Sequence, residues 1–340
     1  MTPPVDARRW WQERPHRPGD PSAVADAFAD AVRLGLTDLP LPGGGRTRER
    51  WASLAWWGGT DLSLARLVEG HTDAVAILAE LAAPALPRLL PPGATSAVWA
   101  AEPPGSGVVA RRTGDGWELS GTKSWCSGAS LCATGLLTVA ADDGARLFLA
   151  DLSAPGVTRP EPSWVGVGMP ASDTQAVRFD ATPAEPVGGV GAYLDRPGFW
   201  IGGIGVAAVW HGGAAAVARR LREAAATGRL GPHAAAHLGR VRVLLDGCSA
   251  LLESAAMRVD ARPAADHETL ALTVRSAVAD AASEIADRVG RALGPAPLAT
   301  DREHAQRVAD LTVYLRQHHA ERDLARLGEL DGAGFAAARR

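Results

Sequence analysis

The sequence predicts an α+β protein with a helical N-terminal domain, a middle β-barrel domain and a C-terminal four-helix bundle. Residues 1–94, an abbreviated helical domain, carry apolar side chains at helical spacing. Residues 95–195 contain short apolar runs between turn signals, and residues 196–340 contain four long helical patterns. A chain of 340 residues can bury two or three such cores.

Three helices are predicted in the N-terminal domain. Ser22 can cap the first, whose apolar positions recur every three or four residues. The second covers about 47–57, and the third starts at Thr60 and places His71 within an apolar stripe. A run of prolines between residues 84 and 92 ends the helical pattern.

The middle domain is predicted to consist of short strands. They cover about 117–120, 134–139, 146–150 and 176–179, and glycine-containing turns separate the first three. Short strands with frequent turns are typical of a compact β barrel. Residues 185–199 are rich in glycine and proline, which predicts a connector to the next domain.

Four helices are predicted in the bundle, over 203–226, 234–261, 266–292 and 303–327. Helices of about 23 residues span roughly 35 Å, which suits an up-down arrangement. The apolar run 199–218 approaches membrane-spanning length, but its five glycines and His211 favour a buried helix over a membrane span. No membrane association is therefore predicted.

Composition narrows the function classes. The net charge is −3 and both signs are spread evenly, so nucleic acid is not an expected partner. Three cysteines without metal-ligand spacing favour a reducing, cytoplasmic setting, and no signal peptide is visible. His233 and His237 lie four residues apart but lack a third ligand, so no metal site is predicted.

The most informative segment runs from Gly121 to Gly128 and contains Lys123, the single lysine of the chain. Two glycines bracket a short stretch with Trp125 and Ser127, whose indole and hydroxyl could face a flat aromatic ligand. The alternative is the rim of a β barrel with an ordinary tryptophan anchor.

This segment, with the preceding Glu102-Pro103 and Gly105-Ser106, resembles the middle domain of the acyl-CoA dehydrogenase family, whose domain order also matches. The resemblance implies a flavin, FAD with FMN as an alternative, beside Trp125, Cys126 and Ser127. Ala101 stands where the family has a flavin-binding threonine, so that contact is either missing or made by the backbone alone. Ser106 stands where a family serine holds the CoA phosphates, although the loop is shorter here. The resemblance also implies a homo-oligomer, or a hetero-oligomer with a related subunit.

Two further positions depart from the family pattern. The family has an arginine that reaches the FAD of a neighbouring subunit. Arg229 stands two places from the corresponding position and is the candidate for that contact. The segment Gly294-Pro295-Ala296-Pro297 replaces a glycine-rich loop that wraps the cofactor. Its two prolines remove backbone freedom and two N–H donors.

The residue at the place of the catalytic base differs as well. Most of the family has a glutamate eight residues beyond an aspartate of the last long helix; here that count from Asp310 leads to His318, followed by His319. A minority branch has a glutamate early in the first bundle helix, where this chain has Gly202-Gly203-Ile204. His318 and His71 each lie on an apolar stripe, so they are candidate catalytic residues that could meet at one pocket. Each is equally compatible with a buried core histidine. His319 is a candidate substrate contact.

The sequence therefore predicts a flavin-dependent oxidoreductase that oxidises an acyl thioester or a related small molecule, with His318 at the position of the usual base. One alternative is a flavin-dependent monooxygenase of the same superfamily, supplied with reduced flavin by a separate reductase. The other is a non-catalytic partner subunit of a heteromeric dehydrogenase.

Overall fold

A computed structural model describes residues 5–14, 19–101, 107–114, 116–160, 164–228 and 230–337 of the protein. The N-terminal domain is helical, as predicted. Its helices are α1 (Val5–Gln12), α2 (Pro21–Arg33), α3 (Thr47–Thr60), α4 (Leu62–Leu81) and α5 (Leu86–Leu89).

The first residues of these helices differ from the prediction. Asp20, not Ser22, caps α2, because its carboxylate accepts hydrogen bonds from the backbone N–H groups of Ser22 and Ala23. Asp61 caps α4 and accepts from the Leu64 N–H at 2.9 Å, so α3 continues to Thr60. In both cases an aspartate carboxylate, and not the neighbouring hydroxyl side chain, accepts the first backbone N–H groups of the helix.

The middle domain is a small barrel of seven strands: β1 (Ser96–Trp99), β2 (Gly107–Thr113), β3 (Gly116–Cys126), β4 (Thr134–Ala141), β5 (Gly144–Asp151), β6 (Val157–Thr158) and β7 (Gln175–Val187). Strands β4, β2, β3, β7 and β5 follow one another in the sheet, and β5 pairs again with β4, which closes the circuit. The predicted barrel is confirmed. The strand predicted over 117–120 extends to Cys126, so the whole tryptophan-containing segment belongs to the barrel wall.

Lys123 points into this barrel. Its ammonium group donates to the carbonyl oxygen of Thr138 at 2.8 Å and lies 3.2 Å from the Thr138 hydroxyl. The side chain is fully buried, so its charge is satisfied by oxygens of β4. The single lysine of the chain thus joins two strands of the barrel.

The C-terminal domain contains α6 (Ala192–Asp195), α7 (Gly198–Ala226), α8 (Pro232–Ala261), α9 (Glu268–Leu293), α10 (Ala296–Thr300), α11 (Arg302–Tyr314) and α12 (Glu321–Ala337). The first three long helices match the prediction. The helix predicted over 303–327 is wrong, because a short 3₁₀ turn follows α11 and the chain then leaves the helical path at His318. Ala320 adopts a positive φ of 45° before α12 begins.

Helix α7 is the central helix of the molecule. It is long and apolar enough to cross a membrane, and 78% of its most apolar window is buried inside the structure. It packs against α3, α4, α9 and α11. Its burial agrees with the prediction of a bundle core helix.

Candidate functional site

The predicted ligand wall lies where β3 ends. The pairing of β3 with β7 shifts between Lys123 and Cys126, which places one extra residue in β3. Trp125 occupies this bulge with a φ of 57°, an unusual conformation for a residue with a side chain. Its indole is 58% exposed, so the bulge turns a large aromatic surface outward instead of into the barrel.

Ser127 is the neighbouring part of this wall and is anchored on both sides. Its carbonyl oxygen accepts from the indole N–H of Trp99 at 2.9 Å. Its hydroxyl lies 2.9 Å from the hydroxyl of Thr174, which lies 2.8 Å from that of Ser172. The Ser172 hydroxyl in turn donates to the carbonyl of Met169. Three hydroxyl groups therefore form one ordered chain at the wall.

This hydroxyl chain is connected to the bundle. The Met169 N–H donates to the carboxylate of Asp310 on α11, which also accepts from the side-chain amide of Gln306 at 2.7 Å. Burial raises the pKa of Asp310 to about 6, although both hydrogen bonds act in the opposite direction. From the sequence, Asp310 served only as the residue from which the position of the base is counted. In the structure it fixes the bundle against the barrel wall.

The other predicted cofactor contacts are placed less directly. The thiol of Cys126 is buried in the barrel and lies 3.3 Å from the Lys123 carbonyl, and burial raises its pKa to about 12. Ala101 lies at the surface beyond β1. Ser106 and Arg229 lie outside the residues that the structure describes.

A small cavity separates Ser127 from α4. It is lined by Arg66, Leu67, Gly70, Ala97, Val98, Ser127 and Cys132. Gly70 leaves room here, since a Cβ at this position would lie 3.5 Å from a terminal nitrogen of Arg66. The cavity therefore brings a guanidinium group next to the serine of the wall.

Arg66 is one member of a buried hydrogen-bonded triad. Its guanidinium contacts the carboxylate of Glu69, which also accepts from the Tyr314 hydroxyl at 3.1 Å. Burial alone would lower the pKa of Arg66, but the negative charge of Glu69 raises it above its usual range. Burial first, and then Glu69, raises the pKa of Tyr314, so this phenol stays protonated. The triad joins α4 to α11.

Further charged pairs follow along α4 toward its C-terminus. Arg50 donates to Asp73 at 2.9 Å, and Arg196 donates to Glu80 at 2.9 Å. Burial and the nearby Glu69 raise the pKa of Asp73 to about 6, against the effect of the two arginines. Gly202 of α7 faces this carboxylate, since a Cβ there would lie 3.4 Å from it. The interior between α4 and α7 is thus strongly polar.

Sequence reasoning missed these groups, although one signal was present. Arg66, Glu69 and Asp73 recur at spacings of three and four within α4, whose other residues are mostly buried. Most other positions of α4 are apolar or small on every side, and a helix that is apolar nearly all round is buried. The partners Arg50 and Arg196 could not be read from the sequence, because they come from distant segments.

His318 faces inward, as its apolar stripe predicted. Its ring lies 6.1 Å from that of Trp210 on α7, whose ring is in turn 6.5 Å from that of Tyr314. Its Nδ1 is 3.2 Å from an oxygen of Asp323, an ion-pair distance without the alignment of a hydrogen bond. Burial, and then the charge of Arg275, lowers the pKa of His318, so the imidazole is neutral near pH 7.

His319 and His71 are placed differently. His319 lies on the outer side of the turn, 56% exposed, and contacts Arg322 and Asp323. His71 is buried, accepts a hydrogen bond from the Ser96 N–H at 3.3 Å and packs edge-on against Phe28. Burial lowers the pKa of His71 to about 4. These contacts are typical of a core histidine that fixes β1 to α4.

Two residues predicted for the site, Ser127 and His318, are therefore linked in the structure by residues that were not predicted. Ser127 adjoins Arg66 through the cavity, and the Arg66–Glu69–Tyr314 triad leads to the Trp210 and His318 rings. His71 belongs to the packing beneath this path.

No protein-family model matches the sequence, and no curated protein matches it. Solved structures do. KijD3, in complex with FMN and a dTDP-linked amino-keto sugar, gives a TM-score of 0.77 at 21% identity, covering 91% of this chain and 86% of that one. A steroid ACAD, Tcur3481-Tcur3483, gives 0.73 at 21% identity, covering 96% and 92%. TdsC from Paenibacillus sp. A11-2, a dibenzothiophene monooxygenase, in complex with FMN and indole, gives 0.73 at 18% identity, covering 90% and 94%.

The chain has the acyl-CoA dehydrogenase fold. The fold predicted from the Trp125 segment and from the order of the domains is thereby confirmed. Within this acyl-CoA dehydrogenase fold the exposed Trp125 indole and the Ser127 hydroxyl chain lie side by side at the barrel end that faces α11. An aromatic face next to a hydrogen-bonding edge fits a planar heteroaromatic ring, so the residues present are compatible with a flavin.

Proposed function

We propose that the protein is a flavin-dependent oxidoreductase that acts on a small molecule. The observation that carries the proposal is the Trp125–Ser127 wall, where a backbone bulge exposes an indole beside an ordered chain of hydroxyl groups. A soluble protein has little reason to expose a tryptophan in a strained conformation unless something covers it. The flavoprotein neighbours with the same fold support this reading.

The flavin that we propose is FMN. The sequence pattern predicted FAD with FMN as the alternative, and KijD3 and TdsC were both solved with FMN. The segment 294–297, which replaces the glycine-rich loop expected for FAD, continues directly into α10. A rigid helical segment offers fewer free N–H groups to a second nucleotide than a flexible glycine loop.

The residues of the chain would divide the work as follows. Trp125 would cover one face of the flavin, and Ser127 would hydrogen-bond its edge. A bound flavin would supply the oxidation–reduction chemistry. The neutral imidazole of His318 can accept a proton, whereas the Tyr314 phenol stays protonated and donates its hydrogen bond to Glu69.

Oxygenation is a second candidate reaction, and one observation favours it. The two places at which the family carries its carboxylate base correspond here to His318 and to the stretch Gly202-Gly203-Ile204, and neither supplies a carboxylate in this chain. Oxygen transfer does not require α-proton removal next to a thioester, and TdsC has the same fold. Incorporation of labelled oxygen into product would distinguish this reaction from dehydrogenation.

The proposal is tested by titrating the purified protein with FMN and with FAD while the visible spectrum and the flavin fluorescence are recorded. We expect FMN to bind, and we expect Trp125→Ala to weaken it about tenfold through lost stacking. Val165→Ala removes another exposed apolar side chain, 94% accessible, and should leave the affinity unchanged. Failure of the wild-type protein to bind either flavin would refute the proposal.

A further inference from the structure

Where α9 packs against α7, one arginine has no acidic partner within the described residues. Arg275 on α9 donates to the Gly203 carbonyl at 2.7 Å, and its guanidinium lies 4.9 Å from the centre of the Trp210 ring. Arg50, Arg66 and Arg196 each have a carboxylate within ion-pair distance, whereas Arg275 has none among residues 5–14, 19–101, 107–114, 116–160, 164–228 and 230–337.

Burying a guanidinium without a counter-ion is costly, so such a group is rarely kept without a use. Burial lowers the pKa of Arg275, while Asp323 and Glu69 act on it only through space. The oxygens of Asp323 contact His318 and His319 instead. The positive charge of Arg275 is therefore only partly compensated.

Other donors near Arg275 are also unused. The indole N–H of Trp210 and Nδ1 of His318 are buried and have no hydrogen-bond partner within the part of the chain that the structure describes. The rings of Trp210 and His318 lie 6.1 Å apart, and Arg275 stacks over Trp210. One region thus combines a fixed positive charge with two ring nitrogens that make no aligned hydrogen bond, of which Nδ1 of His318 lies 3.2 Å from the Asp323 carboxylate.

Helix α7 presents glycines beside Arg275, and this position lies at the edge of the buried core. Gly202 and Gly203 give α7 no side chains at this point, and a Cβ on Gly203 would lie 3.5 Å from the Arg275 side chain. Gly202, Gly203, Arg275 and His318 are all partly accessible, unlike the fully buried core around them. The double glycine at the place of a possible base therefore puts no α7 side chain beside the guanidinium.

We infer that the substrate carries a carboxylate or a similar small oxyanion and that Arg275 binds it beside Gly202, Gly203, Trp210 and His318. The planar guanidinium presents donors in a fork that matches two oxygens, which a lysine could not reproduce. The inference rests on the proposed function, because it names the substrate class of that site.

The experiment measures binding of benzoate and propionate, each against its own amide, by calorimetry and by the shift of the thermal midpoint, with the flavin-loaded protein. We expect the carboxylates to bind and the amides not to. Arg275→Gln should weaken carboxylate binding about tenfold or more, and Arg275→Lys should weaken it less. Arg291→Gln, an exposed arginine of the same helix paired with Asp287, is the control and should bind like the wild type.

Titration with FMN and riboflavin separates a substrate anion from the cofactor phosphate. If Arg275→Gln weakened FMN binding but not riboflavin binding, the guanidinium would serve the cofactor and the inference would be overturned. Equal carboxylate binding by wild type and Arg275→Gln, or binding of neither carboxylate by the wild type, would overturn it as well. Carboxylate binding without any flavin binding would instead count against the proposed function alone.

Discussion

Trp125 shows how one residue can connect local strain with function. A non-glycine residue at positive φ costs about 1–3 kcal/mol, and the strain persists only where the surroundings impose it. Here the surroundings are the bulge in β3 and the anchored Ser127 that follows. The strain orients a large apolar surface that remains exposed until a ligand covers it.

Lys123 shows the opposite relation between a motif and its role. It is the single lysine of the sequence and part of the motif by which the fold was predicted, yet it is fully buried and donates to Thr138. A motif residue can therefore report the fold reliably without touching a ligand. The exposure of Trp125 could be predicted because glycines bracket its segment, whereas Ser127 is buried and the direction of Lys123 depends on the register of the barrel.

The core role of His71 leads to a prediction about pH. Burial lowers its pKa to about 4 from 6.5, so in mild acid the unfolded chain binds a proton that the folded chain does not. Stability is then lost as the pH falls from 6.5 toward 4. His71→Gln should be less stable at pH 7 but should lose about 2 kcal/mol less than the wild type between pH 7 and pH 5.

Urea unfolding at the two pH values measures this difference. An identical loss in both proteins would show that His71 is accessible to protons in the folded state. That result would return it to the list of candidate catalytic residues.

At the scale of elements, the break between α11 and α12 was the main error of the sequence reading. No glycine or proline occurs between residues 315 and 320, so no local signal marks the break. Leu315 and Tyr314 are buried, and the extended conformation of His318 directs the chain away while its ring stays inside. Tertiary packing decides this boundary, which sequence periodicity cannot show.

The short strands β1 and β2 were missed for a related reason. Strand β1 has only four residues, and β2 buries only Val108 and Ala110, so neither has a clear alternating pattern. Their pairing with β4 and β3 within the barrel supplies the order that their own sequences lack.

The link from α11 to the barrel wall gives an element-scale prediction. Asp310 accepts from the Met169 N–H and from Gln306, and the Met169 carbonyl leads to Ser172, Thr174 and Ser127. Asp310→Ala should lower stability by about 1–3 kcal/mol, because a buried N–H loses its acceptor, and should weaken FMN binding. Asp310→Asn keeps an acceptor oxygen and should recover most of both.

Thermal unfolding and FMN titration, applied to both variants, measure this effect. Equal loss in Asp310→Asn and Asp310→Ala would mean that charge, not the hydrogen bond, holds the wall. Unchanged FMN affinity in Asp310→Ala would show that FMN binding at the wall does not depend on the link to the bundle.

At the scale of the whole molecule, the three domains meet around α4 and α7. The buried charges lie here, and their pairs span up to 245 positions of sequence, as between Tyr314 and Glu69. Each helix could be predicted from its own periodicity, but which charge meets which is decided only when the domains assemble. For this reason the fold was predictable while the polar interior of the candidate site was not.

The contact between α3 and α7 sets how closely these domains approach, and it depends on glycine. A Cβ at Gly212 would clash with the Ala55 carbonyl, and one at Gly58 would clash with the backbone of Val209. Gly212→Ala should therefore cost about 3 kcal/mol of stability, because two helix backbones would have to separate. Gly247 lies at an exposed position of α8, and a Cβ there would have no atom within 4 Å. Gly247→Ala should therefore instead stabilise the protein by about 0.5–1 kcal/mol.

Denaturant unfolding of these two variants compares one substitution in two environments. Because helix propensity favours alanine equally in both, the difference between them isolates the close approach of α3 and α7. A stabilised Gly212→Ala protein would show that the helices lie farther apart than the structure has them. The space between Arg275 and α7 would then also be wider than inferred, since Arg275 contacts Gly203 of that helix.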